Sequence, residues 1–176
     1  MTTDNIETRL LAIRTRISNA AQRAGRDPDE ISLLAASKTV DKEIVLDAIA
    51  SGLKHIGENQ IQEAEKKFGD KAEALQDRSV NFHMIGHLQT NKVRKALELF
   101  DTIQSVDSVR LAKRINNIAI EINKTVSVYV EVSLSSEDSK TGADLGELNG
   151  LLSVSYTHLR AHETRHDLVC RLLLEK

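Results

Sequence analysis

The chain has 176 residues, of which 40% are hydrophobic and 28% charged, so it is long enough for one domain with a hydrophobic core. Acidic and basic residues are interspersed and leave a net charge of −2, which favours neither nucleic acid nor a membrane as a partner. A single cysteine excludes an internal disulfide, and there is no signal-peptide pattern and no apolar run close to the ~18 residues of a membrane helix. We therefore predict a cytoplasmic protein.

The predicted elements begin with an amphipathic helix over residues 5–24, where apolar side chains recur every three or four residues until Gly25 ends the pattern. The apolar segment ISLLAASK (31–38) is then typical of a strand, and DKEIVLDAIASG (41–52) is typical of a helix. The same alternation recurs along the rest of the chain. Further strands are predicted to start near residues 55, 82, 102 and 126, and the last helix is predicted to begin near Asp144.

Strands that alternate with helices predict a parallel sheet, because each parallel crossover needs a connection as long as a helix. The strands recur roughly every 24 residues, a spacing that suits a barrel as well as an open sheet. Eight such units and the leading helix would need on the order of 220 residues, whereas the chain has 176. The pattern therefore predicts either an open sheet or an incomplete barrel.

Polar residues follow each predicted strand, at the position where parallel α/β proteins place their working residues. Lys38 is distinctive among them because it comes directly after an apolar strand, where a long cation is disfavoured unless it is used. A lysine in this place suggests a Schiff base with an aldehyde. Such a reaction needs a neutral amine, and lowering its pKa from about 10.4 to about 7 takes on the order of 4 kcal/mol. The alternative is a solvated lysine at the rim of an open-sheet domain that binds no cofactor.

Two other kinds of site are not favoured. Neither GxGxxG nor GxxxxGK[ST] occurs, so no loop is recognisable as a phosphate cradle. His83 and His87 lie four residues apart, but their segment is predicted to be extended, which would separate the two rings, and no HExxH carboxylate accompanies them. We predict no metal site there.

The residues at the strand ends resemble those of the pyridoxal-phosphate homeostasis protein family, whose barrel is shared with the N-terminal domain of alanine racemase. The resemblance extends from the first helix to about Ser153. It rests on LLAASKT (33–39), IGENQIQEA (56–64), HMIGHLQTNK (83–92), IQSVDSVRLA (103–112) and EDSKTG (137–142).

The resemblance implies an α/β fold that is a partial (β/α)8 TIM-type barrel, made of about the first five strand-helix units and an N-terminal helix. It also implies pyridoxal 5′-phosphate held as a Schiff base on Lys38, with Asn59 beside the cofactor and Lys140 near the mouth of the barrel as a second amine. Gly86, Gln89 and Asn91 match the motif on the third strand end, where they would either contact the cofactor or shape the loop.

The resemblance further implies a non-catalytic role in pyridoxal-phosphate, vitamin B6 and amino-acid homeostasis. PLP-dependent apo-enzymes are candidate partners, and a monomer is expected for the full-length protein. The alternative is a racemase-type enzyme, which would need an opposing acid-base tyrosine. The sequence offers Tyr129, in the middle of a predicted strand, and Tyr156, near the C-terminus.

The family's phosphate-binding segments, which resemble S-x-G-M-S and V-R-x-G, do not occur in this sequence. We therefore expect residues 1–153 to be the N-terminal part of a single barrel domain that lacks about three units. Residues 154–176 are expected to be a non-native extension, because VSYTHLRAHET resembles the read-through translation of a sequencing adapter.

The histidines of this C-terminal segment do not predict a zinc site. His158, His162 and His166 recur every four residues, followed by Cys170 at the same spacing. On a helix, His158 and His166 would be ~12 Å apart along the axis, too far to bind one ion together. We therefore predict no metal site in this segment.

Overall fold

The computed structural model describes residues 4–69, 80–133, 142–143, 146, 150–151, 159–161 and 172–173. Helix α1 (Asp4–Arg23) is followed by a turn in which Gly25 has φ 68°, a left-handed conformation that glycine adopts without strain. The chain then passes through a 3-10 turn (Pro28–Glu30) into strand β1 (Leu34–Ala36) and helix α2 (Lys42–Ala50). This is the first of the predicted strand-helix units.

Strands and helices continue to alternate as the sequence predicts. The next elements are β2 (His55–Glu58), α3 (Ile61–Phe68), β3 (Asn81–Met84), a 3-10 turn (Thr90–Lys92), α4 (Val93–Leu99), β4 (Thr102–Val106), α5 (Val109–Glu121) and β5 (Val126–Val130). The strands predicted to start near residues 55, 82, 102 and 126 start within one residue of those positions, and the first strand lies within the predicted segment 31–38. Most of the helix predicted to begin near Asp144 lies outside the described residues, although Gly150 and Leu151, which are described, are helical. Within the described ranges, no helix has the length and apolar character needed to span a bilayer.

The strands form one parallel sheet in the order β6-β5-β4-β3-β2-β1-β7, where β6 is Leu159–Ala161 and β7 is Leu172–Leu173. The five predicted strands therefore lie side by side in chain order, which confirms the parallel α/β fold. Strands β6 and β7 belong to the segment predicted to be an extension. Strand pairing uses backbone hydrogen bonds, which any sequence can form, so it does not test where residues 154–176 come from. Their non-native origin stays a prediction.

The main core lies between the sheet and the helices that cover one of its faces. Phe82 of β3 is fully buried there, at ring-centroid distances of 5.3 Å from Phe68 and 4.6 Å from Phe100. Small residues such as Ala64 and Ala96 let α3 and α4 pack close to the strands. This packing holds the carboxyl ends of the strands, with their polar loops, at one edge of the sheet.

Candidate functional site

Lys38 and Asn59 lie at the carboxyl ends of neighbouring strands, as predicted. Ala36 of β1 is in register with Gly57 of β2, and the Ser37 N–H extends the ladder by donating to the Gly57 carbonyl at 2.9 Å. Lys38 and Asn59 each follow two residues later, and both are partly exposed. The structure thus brings two of the three predicted site residues to the same part of the rim. The third, Lys140, lies outside the described residues.

The two faces of the sheet differ at this end. A Cβ atom placed on Gly57 would lie 2.9 Å from Ile85 and 3.1 Å from Leu34, so these residues share the face that is turned away from α3. Glu58, the next residue along β2, points to the other face, where its carboxylate contacts Lys67 of α3. Glycine at position 57 therefore leaves room for apolar side chains below the strand ends.

Lys38 lies in a tight turn between Ser37 and Thr39, and the backbone of each neighbour is hydrogen-bonded to a side chain of α3. Thr39 has φ 61°, in the left-handed region that is uncommon for residues other than glycine. The Thr39 N–H donates to Glu63 at 2.6 Å, and the Ser37 carbonyl accepts a hydrogen bond from Lys67 at 2.6 Å. Helix α3 thereby fixes the turn that carries the lysine.

Glu58, Glu63 and Lys67 form a connected charge network beside this turn. The Lys67 ammonium lies 2.9 Å from a carboxylate oxygen of each glutamate. Burial by itself would lower the pKa of Lys67, but hydrogen bonds to both carboxylates and their charges hold it above its usual value. Burial would likewise raise the pKa of Glu63, yet the donors Lys67 and Thr39 and the charges of Lys67 and Lys38 hold it below its usual value.

Sequence reasoning did not identify this network. Glu63 and Lys67 have the i, i+4 spacing of an ordinary surface ion pair on a helix, which gives no indication of a third partner. The sequence nevertheless contains one indication of the network, which is Glu58, an acidic residue at the end of the strand HIGE. It is fully buried, and charged residues are rarely so unless they are paired.

Gly86 in the third strand-end loop permits a close backbone contact with Asn59. A Cβ atom at this position would lie 2.2 Å from the Asn59 carbonyl oxygen, so any other residue would force the two loops apart. The Ser105 hydroxyl donates to the Gly86 carbonyl at 2.6 Å and joins the fourth strand to the same contact. Gly86 was expected either to contact the cofactor or to shape the loop, and this geometry supports the role in shaping the loop. Gln89 and Asn91 are exposed on the same junction.

His83 and His87 have separate environments. The His83 ring is buried and lies 3.0 Å from His55 and 3.1 Å from the Gln104 amide. His87 is exposed, and its Nδ1 lies 3.5 Å from an Asp107 carboxylate oxygen. Among the described residues, no group of three histidine, cysteine, aspartate or glutamate side chains is arranged to bind a metal ion. His158, His162, His166 and Cys170 lie outside that part of the chain.

The two tyrosines considered for acid-base chemistry are not both described. Tyr129 lies within β5 and is partly exposed, with Val128 and Val130 on either side. It is therefore part of a strand rather than of a strand-end loop, as the sequence predicted. Tyr156 lies outside the described residues.

Comparison with known proteins shows curated relatives over most of the chain, although no protein-family model matches it. The chain is 38% identical over 148 residues to the pyridoxal phosphate homeostasis protein of Escherichia coli K12, covering 84% of this chain and 63% of that protein. It is 40% identical over 139 residues to the protein of the same name from Pseudomonas aeruginosa PAO1, covering 79% of this chain and 59% of that protein. The chain thus spans about three-fifths of the length of these relatives.

Solved structures show the same likeness. A protein of unknown function from Bifidobacterium adolescentis matches with a TM-score of 0.80 and 35% identity, covering 91% of this chain and 67% of the other. PipY of Synechococcus elongatus PCC7942, solved with PLP bound, matches with a TM-score of 0.69 and 32% identity. The match covers 89% of this chain and 66% of the PipY chain. Alanine racemase of Clostridium difficile 630 shares the fold, with a TM-score of 0.64 and 13% identity. The match covers 90% of this chain and 38% of the racemase chain.

Proposed function

Because the chain is 38% and 40% identical to two pyridoxal phosphate homeostasis proteins over about three-fifths of their length, we propose that it belongs to their family and binds pyridoxal 5′-phosphate as a Schiff base on Lys38. The observation that carries the proposal is the position of Lys38, a partly exposed lysine in the turn that follows the first strand of a parallel sheet. A similar protein, PipY, was solved with PLP bound. When bound, this cofactor supplies an aldehyde that condenses with an amine.

The described residues fit the aldehyde end of the cofactor. Lys38 offers a primary amine, the Asn59 amide lies on the neighbouring strand end, and Leu34 and Ile85 provide apolar surface below them. Partners for the phosphate are not identified among these residues, and the two phosphate-binding segments of the family do not occur in the sequence. The proposal therefore assigns Lys38 the covalent contact and Asn59 a contact beside it. Lys140 stays a predicted second amine.

The proposed role is cofactor homeostasis without catalysis of its own. A racemase-type reaction needs an acid-base group opposite the lysine, and Tyr129 is placed in a strand rather than in a loop at the rim. Delivery of the cofactor to apo-enzymes, a cytoplasmic location and a monomeric state of the full-length protein are parts of the same proposal. Conversion of L-alanine to D-alanine by the loaded chain would contradict its non-catalytic part.

The test compares covalent loading of the wild-type chain with that of two lysine variants. Each protein is incubated with pyridoxal phosphate, reduced with borohydride and analysed by intact and peptide mass spectrometry. We expect one phosphopyridoxyl group on Lys38 of the wild type, accompanied by a visible absorption band before reduction. Lys38→Ala should lose both the band and the added mass, because the amine that forms the imine is gone.

Lys54→Ala is the matched control. Lys54 is also an exposed lysine next to a strand, but it precedes β2 and therefore lies at the amino end of the sheet, away from the site. It should load as the wild type does. Equal loading of Lys38→Ala and the wild type, or no preference for Lys38 in the peptide map, would overturn the proposal.

A further inference from the structure

The charge network on β2 and α3 contacts the backbone on both sides of Lys38. Lys67 donates to Glu58 and Glu63 at 2.9 Å each and to the Ser37 carbonyl at 2.6 Å. Its side chain is only 12% exposed, and that of Glu58 is fully buried. Hydrogen bonds to charged groups are roughly twice as strong as those between neutral ones, so this arrangement holds the turn firmly.

Both peptide groups that flank Lys38 take part. On the amino side, the Ser37 hydroxyl donates to Glu58 at 2.8 Å, in addition to the contact of the Ser37 carbonyl with Lys67. On the carboxyl side, the Thr39 N–H donates to Glu63 at 2.6 Å while Thr39 holds φ 61°. A left-handed threonine costs roughly 1–2 kcal/mol, so the turn keeps this shape only because its surroundings impose it.

We propose that Glu63 and Lys67 are positioning residues that hold the 37–39 turn in the conformation from which the Lys38 amine reaches the aldehyde of pyridoxal phosphate. This inference rests on the proposed function. In the step they assist, the nitrogen of the neutral amine bonds to the aldehyde carbon, and a carbon–nitrogen double bond replaces the carbon–oxygen double bond. The oxygen leaves as water with both amine hydrogens, so no oxidant or reductant is needed.

The charges of the network agree with an orienting role. The Lys67 ammonium is shared by the side chains of Glu58 and Glu63 beside the turn. The charge of Lys38 acts on Glu63 and helps to keep that carboxyl ionised. A nearby carboxylate attracts a cation and does not help it lose a proton. The proposed role of the network is therefore to orient the Lys38 side chain. The ammonium proton of Lys38 is released to solvent.

The experiment uses the full chain and three variants on helix α3. Glu63→Ala removes the acceptor of the Thr39 N–H, whereas Glu63→Gln keeps an oxygen in the same place. Glu65→Ala is the matched control, because Glu65 lies two residues away and forms an exposed pair with Lys95 at 3.1 Å. Each protein is treated with pyridoxal phosphate and borohydride. The labelling of Lys38 is then divided by that of Lys113, an exposed lysine on α5 of the same molecule.

The expected result is a drop of about tenfold in the Lys38 to Lys113 ratio for Glu63→Ala, the factor associated with one hydrogen bond to a charged group. Glu63→Gln should restore most of the ratio and of the visible band, and Glu65→Ala should leave both unchanged. Thermal unfolding of each variant identifies any loss that is due to global unfolding. Loading of Glu63→Ala equal to that of Glu65→Ala would overturn the inference.

The two proposals fail in different ways. If wild-type Lys38 is labelled no more than Lys113, the proposed function itself is wrong. If wild-type Lys38 is labelled preferentially but a folded Glu63→Ala protein is labelled to the same extent, only the positioning role is wrong. If Glu63→Gln fails as completely as Glu63→Ala, the hydrogen bond to Thr39 is not the means of positioning, and the inference is overturned.

Discussion

His83 lies on β3 with its imidazole between His55 and Gln104, almost without exposure to solvent. Burial of the ring, together with repulsion from His55, lowers the pKa of His83 to about 4, although Asp101 opposes the shift. The pKa of His55 is also lowered, by burial and by Lys54. The pair is therefore neutral near pH 7, when one ring can donate to the other.

The lowered pKa predicts that the protein loses stability in acid. The folded state disfavours protonation of His83, whereas the unfolded chain takes up the proton at the ordinary pKa of 6.5. The stabilising effect is thus complete above the unfolded value and is lost as the pH falls toward about 4. We expect the free energy of unfolding to decrease by about 2 kcal/mol between about pH 7 and about pH 5 because of this ring.

Urea unfolding of His83→Gln at both pH values tests this prediction. Glutamine can hydrogen-bond but does not titrate, so the decrease between the two pH values should be smaller than in the wild type. Leu11→Ala is the control, since it replaces an exposed side chain that carries no titratable group and should leave the decrease unchanged. A wild-type pH dependence in His83→Gln would contradict the assignment.

At the scale of elements, α3 is held to the ends of β1 and β2 by Lys67. The ammonium is the shared donor for the Ser37 carbonyl and for a carboxylate oxygen of Glu58. The other oxygen, Oε2, is buried and has no hydrogen-bond partner within the described part of the chain. The helix therefore carries the ammonium group that contacts the buried Glu58 side chain at the strand end.

Lys67→Met should destabilise the fold by about 3–5 kcal/mol, because it leaves the Glu58 carboxylate buried without its cation. Lys66→Met, at the exposed neighbouring position of the same helix, should change the free energy of unfolding by less than about 0.5 kcal/mol. The urea unfolding midpoints of the two variants measure this difference in stability. Similar midpoints would show that α3 is held by its apolar contacts alone.

At the scale of the whole molecule, three phenylalanines join the units of the fold. Phe68 ends α3, Phe100 follows α4, and the ring of Phe82 lies between them on β3. All three are fully buried. Since the three residues come from the second and third strand-helix units, their contact makes those units one core.

Phe82→Ala should cost about 3–5 kcal/mol, because it removes a buried ring and leaves a cavity between two helices and the sheet. Leu11→Ala provides the comparison, since Leu11 is 65% exposed on α1 and should change stability by less than about 0.5 kcal/mol. Calorimetric melting of both variants measures the difference. A small effect of Phe82→Ala would mean that the units are held together elsewhere.

The sequence by itself determined the order and type of the elements and the position of Lys38. Helices and strands differ in apolar periodicity, and that signal is local, so the strand starts near 55, 82, 102 and 126 could be predicted. Lys38 could be predicted for the same reason, since its place after an apolar strand is visible within a few residues.

The tertiary structure decided which distant residues meet. Lys67 reaches the carbonyl of Ser37 across 30 residues, His55 meets His83 across 28, and Gly86 packs on Asn59. Each contact depends on the register between neighbouring strands and on where a helix lies over them. A local sequence pattern encodes neither the strand register nor the position of the helix. The register matters because a shift of one residue would move every side chain of a strand to the opposite face.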